Sequence, residues 1–287
     1  MLVKVDLHLH TNFSDGTFSP EQIVHKAVEA GVTTISITDH DTTSGLAVGK
    51  EICDLYGLNF IPGIEIGTKL DGEEIHILGY YVDATDEKFQ LILEELRDDR
   101  LDRGEKIVAL LNRKGFHISW EHVLKISSGE SVGRPHIARA LVDAGYARDV
   151  KHAFDSIIGS DGPVFIERRL MTPEEAINLL IQNSALAVLA HPLRSKFKSS
   201  RKAINNLENV LSRLIPHGLV GIEVHYGDYS EEQINYLMRL ADSYDLVATG
   251  GSDYHGIGGN GEPKIGHRGP SVSVIADMES LRRKLET

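Results

Sequence analysis

One local pattern recurs along the chain and limits its fold more than any other feature: a short apolar, β-rich run reaches a histidine or an acid, and a helical stretch follows. The run Leu2 to Leu7 leads into His8-Leu9-His10, and Thr34 to Thr38 into Asp39-His40-Asp41. Ile61-Pro62-Gly63-Ile64 precedes Glu65, Ala185 to Ala190 precedes His191, and Leu246 to Gly250 precedes Asp253. Alternating strands and helices predict an α/β fold with a largely parallel sheet. Ligand-type residues at the C-terminal ends of its strands predict a (β/α) barrel, because the loops that follow the strands converge on one rim. Histidines of unrelated purpose would not fall at that one place repeatedly.

Helix starts are legible from their caps. Ser19-Pro20-Glu21-Gln22, Thr172-Pro173-Glu174-Glu175 and Ser230-Glu231-Glu232-Gln233 each read as a capping box, two of them with proline in the first turn. The first helix ends at Gly31, and a second runs from about Ser44 to Tyr56. Between Phe60 to Thr68 and Glu74 to Val82, the Asp71-Gly72 pair predicts a hairpin that interrupts the alternation. From 86 to 115 a long charged helix is expected, then short helices to about Gly159, one of them opened by Gly133-Arg134-Pro135-His136. The alternation divides the chain into a barrel of residues 1–99 and 167–287 and a helical insertion of residues 100–166. A glycine-rich loop spans Gly256 to Gly269.

Composition removes several function classes. The net charge of −12 repels long nucleic acid but not a small anion met by bound cations. Cys53 is the sole cysteine, which excludes internal disulfides and cysteine-based zinc sites. No apolar run approaches the roughly 18 residues of a membrane span. A candidate ligand at His8 leaves no room for a signal peptide, so a cytoplasmic enzyme is expected. No protein partner is inferable.

Candidate metal ligands extend from end to end: His8, His10, Asp15, His40, Glu65, His76, His191, Asp253 and His255. Six imidazoles and three carboxylates suffice for three divalent ions with positions open to water or substrate. His8 and His10 project to one face of a strand end. Taken singly, several have plainer explanations: His-x-His as two surface histidines, Asp15 as a turn residue, His76 as a core histidine, Glu65 as half of a salt bridge. Taken together, they point to one site. Asp39 or Asp41 is expected to accept from an imidazole N–H. A nitrogen and oxygen donor set without sulfur suits manganese, iron or zinc better than magnesium, with manganese first.

The motifs Asp6-Leu7-His8-Leu9-His10, Thr38-Asp39-His40-Asp41, His191-Pro192 and Gly251-Ser252-Asp253-Tyr254-His255 resemble the signatures of the PHP (polymerase and histidinol phosphatase) superfamily of metal-dependent phosphoesterases. The resemblance runs nearly end to end and implies a distorted seven-stranded TIM-like (β/α) barrel, the PHP fold. It also implies a ligand partition: His8, His10, Glu65 and Asp253 on one ion; Asp15, His40 and His255 on a second; Glu65, His76 and His191 on a third.

The insertion with Gly133-Arg134-Pro135-His136 is similar to that of the branch acting on nucleoside 3′,5′-bisphosphates, some of whose members trim short RNA from its 5′ end. There it caps the metals, so Arg134 and His136 become expected phosphate contacts; an ordinary helix N-terminus is the alternative. Arg194 and, less directly, Lys196 are further phosphate candidates, and His225 is a candidate acid or phosphate contact. Gly256 to Gly261 departs from the more compact sequence expected after Asp253-x-His255.

The expected reaction is in-line hydrolysis of the 3′-phosphate of a small nucleotide by a metal-bridged hydroxide, with Glu65, Asp253 and His225 as catalytic residues. Alternatives are a cyclic ribose-phosphate phosphodiesterase, a histidinol-phosphate phosphatase, a 5′-3′ exonuclease on short RNA, a proofreading nuclease module, and a regulatory module without catalysis.

Overall fold

A computed structural model describes residues 4–127, 131–159, 162–194, 201–258 and 262–285, with side chains in 201–205 left aside. The elements follow one another as β1 (Lys4–Leu9), α1 (Pro20–Glu29), β2 (Val32–Ile37), α2 (Leu46–Tyr56), β3 (Asn59–Leu70) and β4 (Glu73–Tyr80). Next come α3 (Glu87–Arg113), α4 (Trp120–Ile126), α5 (Arg134–Asp143) and α6 (Val150–Ala153), which runs into a π-helical turn, Phe154–Ile158. The chain continues with α7 (Pro173–Gln182), β5 (Leu186–Leu189), α8 (Arg201–Leu214), β6 (Leu219–Tyr226), α9 (Glu231–Tyr244), β7 (Val247–Gly251) and α10 (Ser273–Leu285).

The seven strands form one sheet in sequence order. Only the β3–β4 and β4–β5 pairings are antiparallel. The sheet curls into a nearly closed barrel: Asp253 N donates to His8 O at 2.9 Å, and His10 N to Tyr254 O at 3.0 Å, bringing the end of β7 against β1. Glycine permits that approach, since a Cβ at Gly251 would lie 2.4 Å from the His8 nitrogen. The α/β barrel expected from the alternation is therefore the observed architecture.

Local chemistry explains the elements that position the site. Ser19, Thr172 and Ser230 complete the three capping boxes, each accepting from the backbone N–H three residues on. Asp71 (φ 49°) and Gly72 (φ 90°) both take positive φ, the signature of a tight hairpin turn between β3 and β4.

Two strand readings need correction. Within the described residues β1 runs from Lys4 to Leu9, so His8 lies inside the strand, while the expected start at Leu2 is outside the described residues. Glu65 is not at a strand end either. β3 pairs with β2 only as far as Pro62, then extends to Leu70 because β4 pairs with it along the hairpin. Glu65 sits where β3 parts from β2, held by Glu65 N→Asp39 O and Asp41 N→Glu65 O.

Hydrophobic packing is divided along α3. Its N-terminal half contributes Phe89, Leu93 and Leu96 to the main core between barrel and helices. Its C-terminal half contributes Ile107, Val108 and Leu111 to a separate cluster with Val123, Ile137 and Leu141. At 27 residues, α3 carries the chain out of the barrel and into the helical segment that overhangs the site. His136 caps the start of α5: its Nδ1 accepts from Gly133 N at 2.9 Å, and burial lowers its pKa to about 4.

Candidate metal centre

The nine candidate ligands come together around Glu65. Its Oε1 lies 2.7 Å from His76 Nδ1 and 2.8 Å from His191 Nε2, while Oε2 lies 3.2 Å from His10 Nε2 and from His40 Nδ1 and 3.3 Å from His8 Nε2. Asp253 Oδ1 approaches His10 Nε2 at 3.1 Å, and His255 Nε2 approaches Asp15 Oδ1 at 3.2 Å. Three overlapping groups place candidate ligand atoms within 4.8 Å of one another: His8, His10, Glu65 and Asp253; His10, Asp15, His40 and His255; His40, Glu65 and His76. The first equals the set implied by the resemblance, and the second adds His10 to another. The third holds His40 where His191 was expected, although His191 still touches Glu65.

These residues fit divalent cations. Among the described residues, His40 Nδ1 and Asp253 Oδ1 are buried without a hydrogen-bond partner, which is costly unless a cation completes them. His8 Nε2 and His10 Nε2 face each other at 3.1 Å, so the two nitrogens address one point. Burial opposes charge on each group, yet attraction from Glu223, Asp253 and Glu65 holds the His8 imidazole well above its ordinary pKa. Likewise the imidazoles hold Glu65 and Asp253 well below the usual carboxylate range, against the effect of burial. The pocket attracts positive charge. His40 differs: burial pushes it down to about 3, leaving a neutral ring. Backbone strain collects here too, with positive φ at Asp41 (55°), His191 (26°) and Asp253 (53°).

An outer layer of hydrogen bonds aims the ligands. Buried Glu223 accepts from His8 Nδ1 at 2.9 Å and His191 N at 2.7 Å, which fixes the His8 tautomer with Nε2 facing the cluster. His255 Nδ1 donates to Asp253 O at 2.8 Å, leaving Nε2 for Asp15. Buried Asp6 accepts from Ser252 N at 2.9 Å and Gly266 N at 2.8 Å beneath the rim, and burial raises its pKa to about 6.

The expectation that Asp39 or Asp41 takes an imidazole N–H is not met. Asp39 accepts from Thr11 N (2.7 Å), Thr11 Oγ1 (2.6 Å) and Ser14 Oγ (2.5 Å), and so shapes the loop that carries Asp15. Asp41 pairs with Arg100 Nε at 2.5 Å and Arg168 Nη2 at 2.9 Å. Glu223 has the role assigned to them. Replacing Glu223 with glutamine should weaken manganese binding about 10- to 100-fold, measured by calorimetric titration of metal-stripped protein. An unchanged isotherm contradicts this role.

A cavity of about 1240 Å³ opens above the cluster, bounded by the barrel rim and the overhanging helices. Arg134 lines it, half-buried, 3.5 Å from Glu74 and stacked over Phe154. Arg194 also lines it, and its Nη1 donates to Asp253 Oδ2 at 2.6 Å. His136 is buried against the helix start and is not among the residues facing the cavity. Lys196 lies outside the described residues.

The structure does not bring His225 to the cluster: its charged neighbours are Arg268 and Glu231. A register irregularity between Glu223 and His225 shifts the alternation of β6, and Tyr226 reaches in instead, donating to Asp253 Oδ2 at 2.8 Å. Sequence reasoning also missed Arg100, Arg103, Arg139 and Arg168 on the cavity wall.

Comparisons with known proteins place the chain among relatives of one family. The family described as PHP domain matches residues 6–245. The 5′-3′ exoribonuclease Rnm of Salmonella typhimurium is 34% identical over 252 residues, covering 87% of this chain and 84% of the relative. The 3′,5′-nucleoside bisphosphate phosphatase of Chromobacterium violaceum is 28% identical over 267 residues, covering 93% of this chain and 92% of the relative. A crystal structure assigned as a metal-dependent phosphoesterase of Bifidobacterium adolescentis superposes with a TM-score of 0.87 at 30% identity, covering 97% of this chain and 96% of that one.

Proposed function

The chain belongs to the PHP domain family of metal-dependent phosphoesterases and hydrolyses phosphate esters, and on that premise we propose that it removes the 3′-phosphate of nucleoside 3′,5′-bisphosphates. One observation carries the reading: the buried ligand cluster around Glu65 opens into a cavity walled by Arg100, Arg134, Arg168 and Arg194. A cluster of imidazoles and acids suits a phosphoryl group in flight, and guanidinium groups suit a second phosphate on the same small molecule. The ligand-bearing barrel (1–99 and 167–287) and the overhanging segment 100–166 act as base and cap.

Three divalent ions, manganese first, are proposed for the cluster, where Glu65 would serve two of the three candidate ligand groups. When bound, they lower the pKa of water and offset charge on the phosphoryl oxygens. Glu65 and Asp253 would hold the cations, Glu223 fixes the His8 ring, and Arg134 and Arg194 orient the phosphates. Tyr226 steadies Asp253 through its hydroxyl. His225 is left out of this assignment, because its neighbours are Arg268 and Glu231.

Phosphate release from manganese-loaded protein should be far faster with 3′-phosphoadenosine 5′-phosphate than with AMP. Equal rates, or faster release from histidinol phosphate or a cyclic ribose diester in the same panel, would remove the bisphosphate reading. Likeness to an exoribonuclease at 34% identity favours a second substrate, short 5′-phosphorylated RNA. Release of nucleotides from the 5′ end of an RNA oligomer, faster than phosphate from the bisphosphate, would place it first.

Arg134→Ala should raise KM for the bisphosphate about tenfold, with a smaller fall in kcat, because uniform phosphate binding is lost. Metal content, read by elemental analysis, should stay at the wild-type level. Unchanged kinetics would remove Arg134 from substrate binding.

A further inference from the structure

Glu74 stands where cap, cavity and ligand cluster meet. It lies on β4 two residues before His76, so both side chains leave the same face of the strand. His76 turns Nδ1 to Glu65 at 2.7 Å, and its other ring nitrogen, Nε2, lies 3.5 Å from Glu74 Oε1. Glu74 Oε2 lies 3.5 Å from Nη2 of Arg134 on α5. A single carboxylate thus joins a candidate metal ligand to a candidate phosphate contact from another part of the chain.

Arg134 requires such a neighbour. Burial and the like charge of Arg134 lower the Arg103 guanidinium to about 10, and Arg100 and Arg168 add to the cationic crowding. Repulsion of this kind would drive a half-buried side chain outward unless an acid offsets it. Glu74 is the acid within reach, its Oε2 lying 3.5 Å from Arg134 Nη2. The arrangement parallels Glu223 behind His8, and of the two Glu74 also reaches the cap.

We infer that Glu74 is a positioning residue that holds the His76 ring toward a metal ion and the Arg134 guanidinium toward substrate phosphate, so that metal binding and phosphate binding are coupled through one carboxylate. This rests on the phosphoesterase reading of the cavity. Coupling of two binding equilibria is reciprocal, so each ligand should strengthen the other. Glu74→Gln keeps the shape and removes the charge.

Calorimetry with manganese on metal-stripped protein, then with inorganic phosphate on manganese-loaded protein, reads both equilibria without any turnover. In Glu74→Gln both affinities should fall about tenfold. Glu74→Asp, which keeps the charge with a shorter reach, should recover part of each. Arg134→Ala should weaken phosphate binding in the wild-type background but add little to Glu74→Gln, since the two act as a unit.

Either affinity staying within about twofold of wild type in Glu74→Gln, or full additivity with Arg134→Ala, overturns the inference. The functional reading fails separately: protein inactive on every ester of the panel would overturn that reading, while the coupled loss of manganese and phosphate affinity would still uphold Glu74.

Discussion

Replacing Glu65 with glutamine should cut kcat/KM for phosphate release by about a thousandfold or more, the largest effect expected of any single substitution at this site. The reason is position. Both carboxylate oxygens are engaged: Oε1 with His76 and His191, Oε2 with His8, His10 and His40. Glutamine matches the shape but carries no charge, and its amide nitrogen presents hydrogens where an acceptor lone pair toward a cation or a ring N–H is needed. Two of the three candidate ligand groups lose their shared member. Metal content should fall together with activity, which separates this outcome from a purely catalytic one. A Glu65→Gln protein that kept more than a few per cent of its activity would remove Glu65 from the centre of the site.

The second large effect concerns stability. Asp41 is fully buried and compensates two guanidinium groups, Arg100 from α3 and Arg168 from the segment that returns to the barrel. Arg97 adds a hydrogen bond to the Asp41 carbonyl at 3.2 Å. Asn in place of Asp tolerates the positive φ of 55° and retains the shape, so the substitution isolates the charge.

Leaving Arg168 buried and uncompensated should cost about 3–5 kcal/mol. In the metal-free protein the thermal midpoint should drop roughly 6–10 °C. Because the same pairs fasten the cap beside His40, KM for the bisphosphate should rise as well. Arg168→Met should cost less, since Asp41 retains Arg100. An unchanged midpoint for Asp41→Asn would show that the pairs are worth no more than surface bridges.

Much of this site was legible because its chemistry breaks local rules. A strand such as Thr34 to Ile37 has no local reason to end in Asp39-His40-Asp41, and Glu65 within an apolar run calls for a partner. Glu223 carried the same signal, an acid between Ile222 and Val224, but it sits inside a strand rather than at an end and was passed over. Tyr226 was hidden by a register irregularity, which no period-two reading anticipates.

Arg100, Arg103, Arg139 and Arg168 carry no local signal in the sequence, because only tertiary contact reveals what they face. Capping boxes and the Asp71-Gly72 turn placed their elements well, since cap and turn chemistry is local. The sequence leading into α8 and α10 carries no capping-box pattern, so these helices have no local start signal. The length of β3 depends on its partner β4 and not on its own residues, which is why Glu65 was assigned to a strand end.

The most direct test is elemental analysis of purified protein alongside phosphate release from 3′-phosphoadenosine 5′-phosphate, before chelation, after it, and after manganese is restored. Activity should vanish with the ions and return in proportion to those rebound. Full turnover by protein free of transition ions would contradict the claim that these distant histidines and acids form a metal centre.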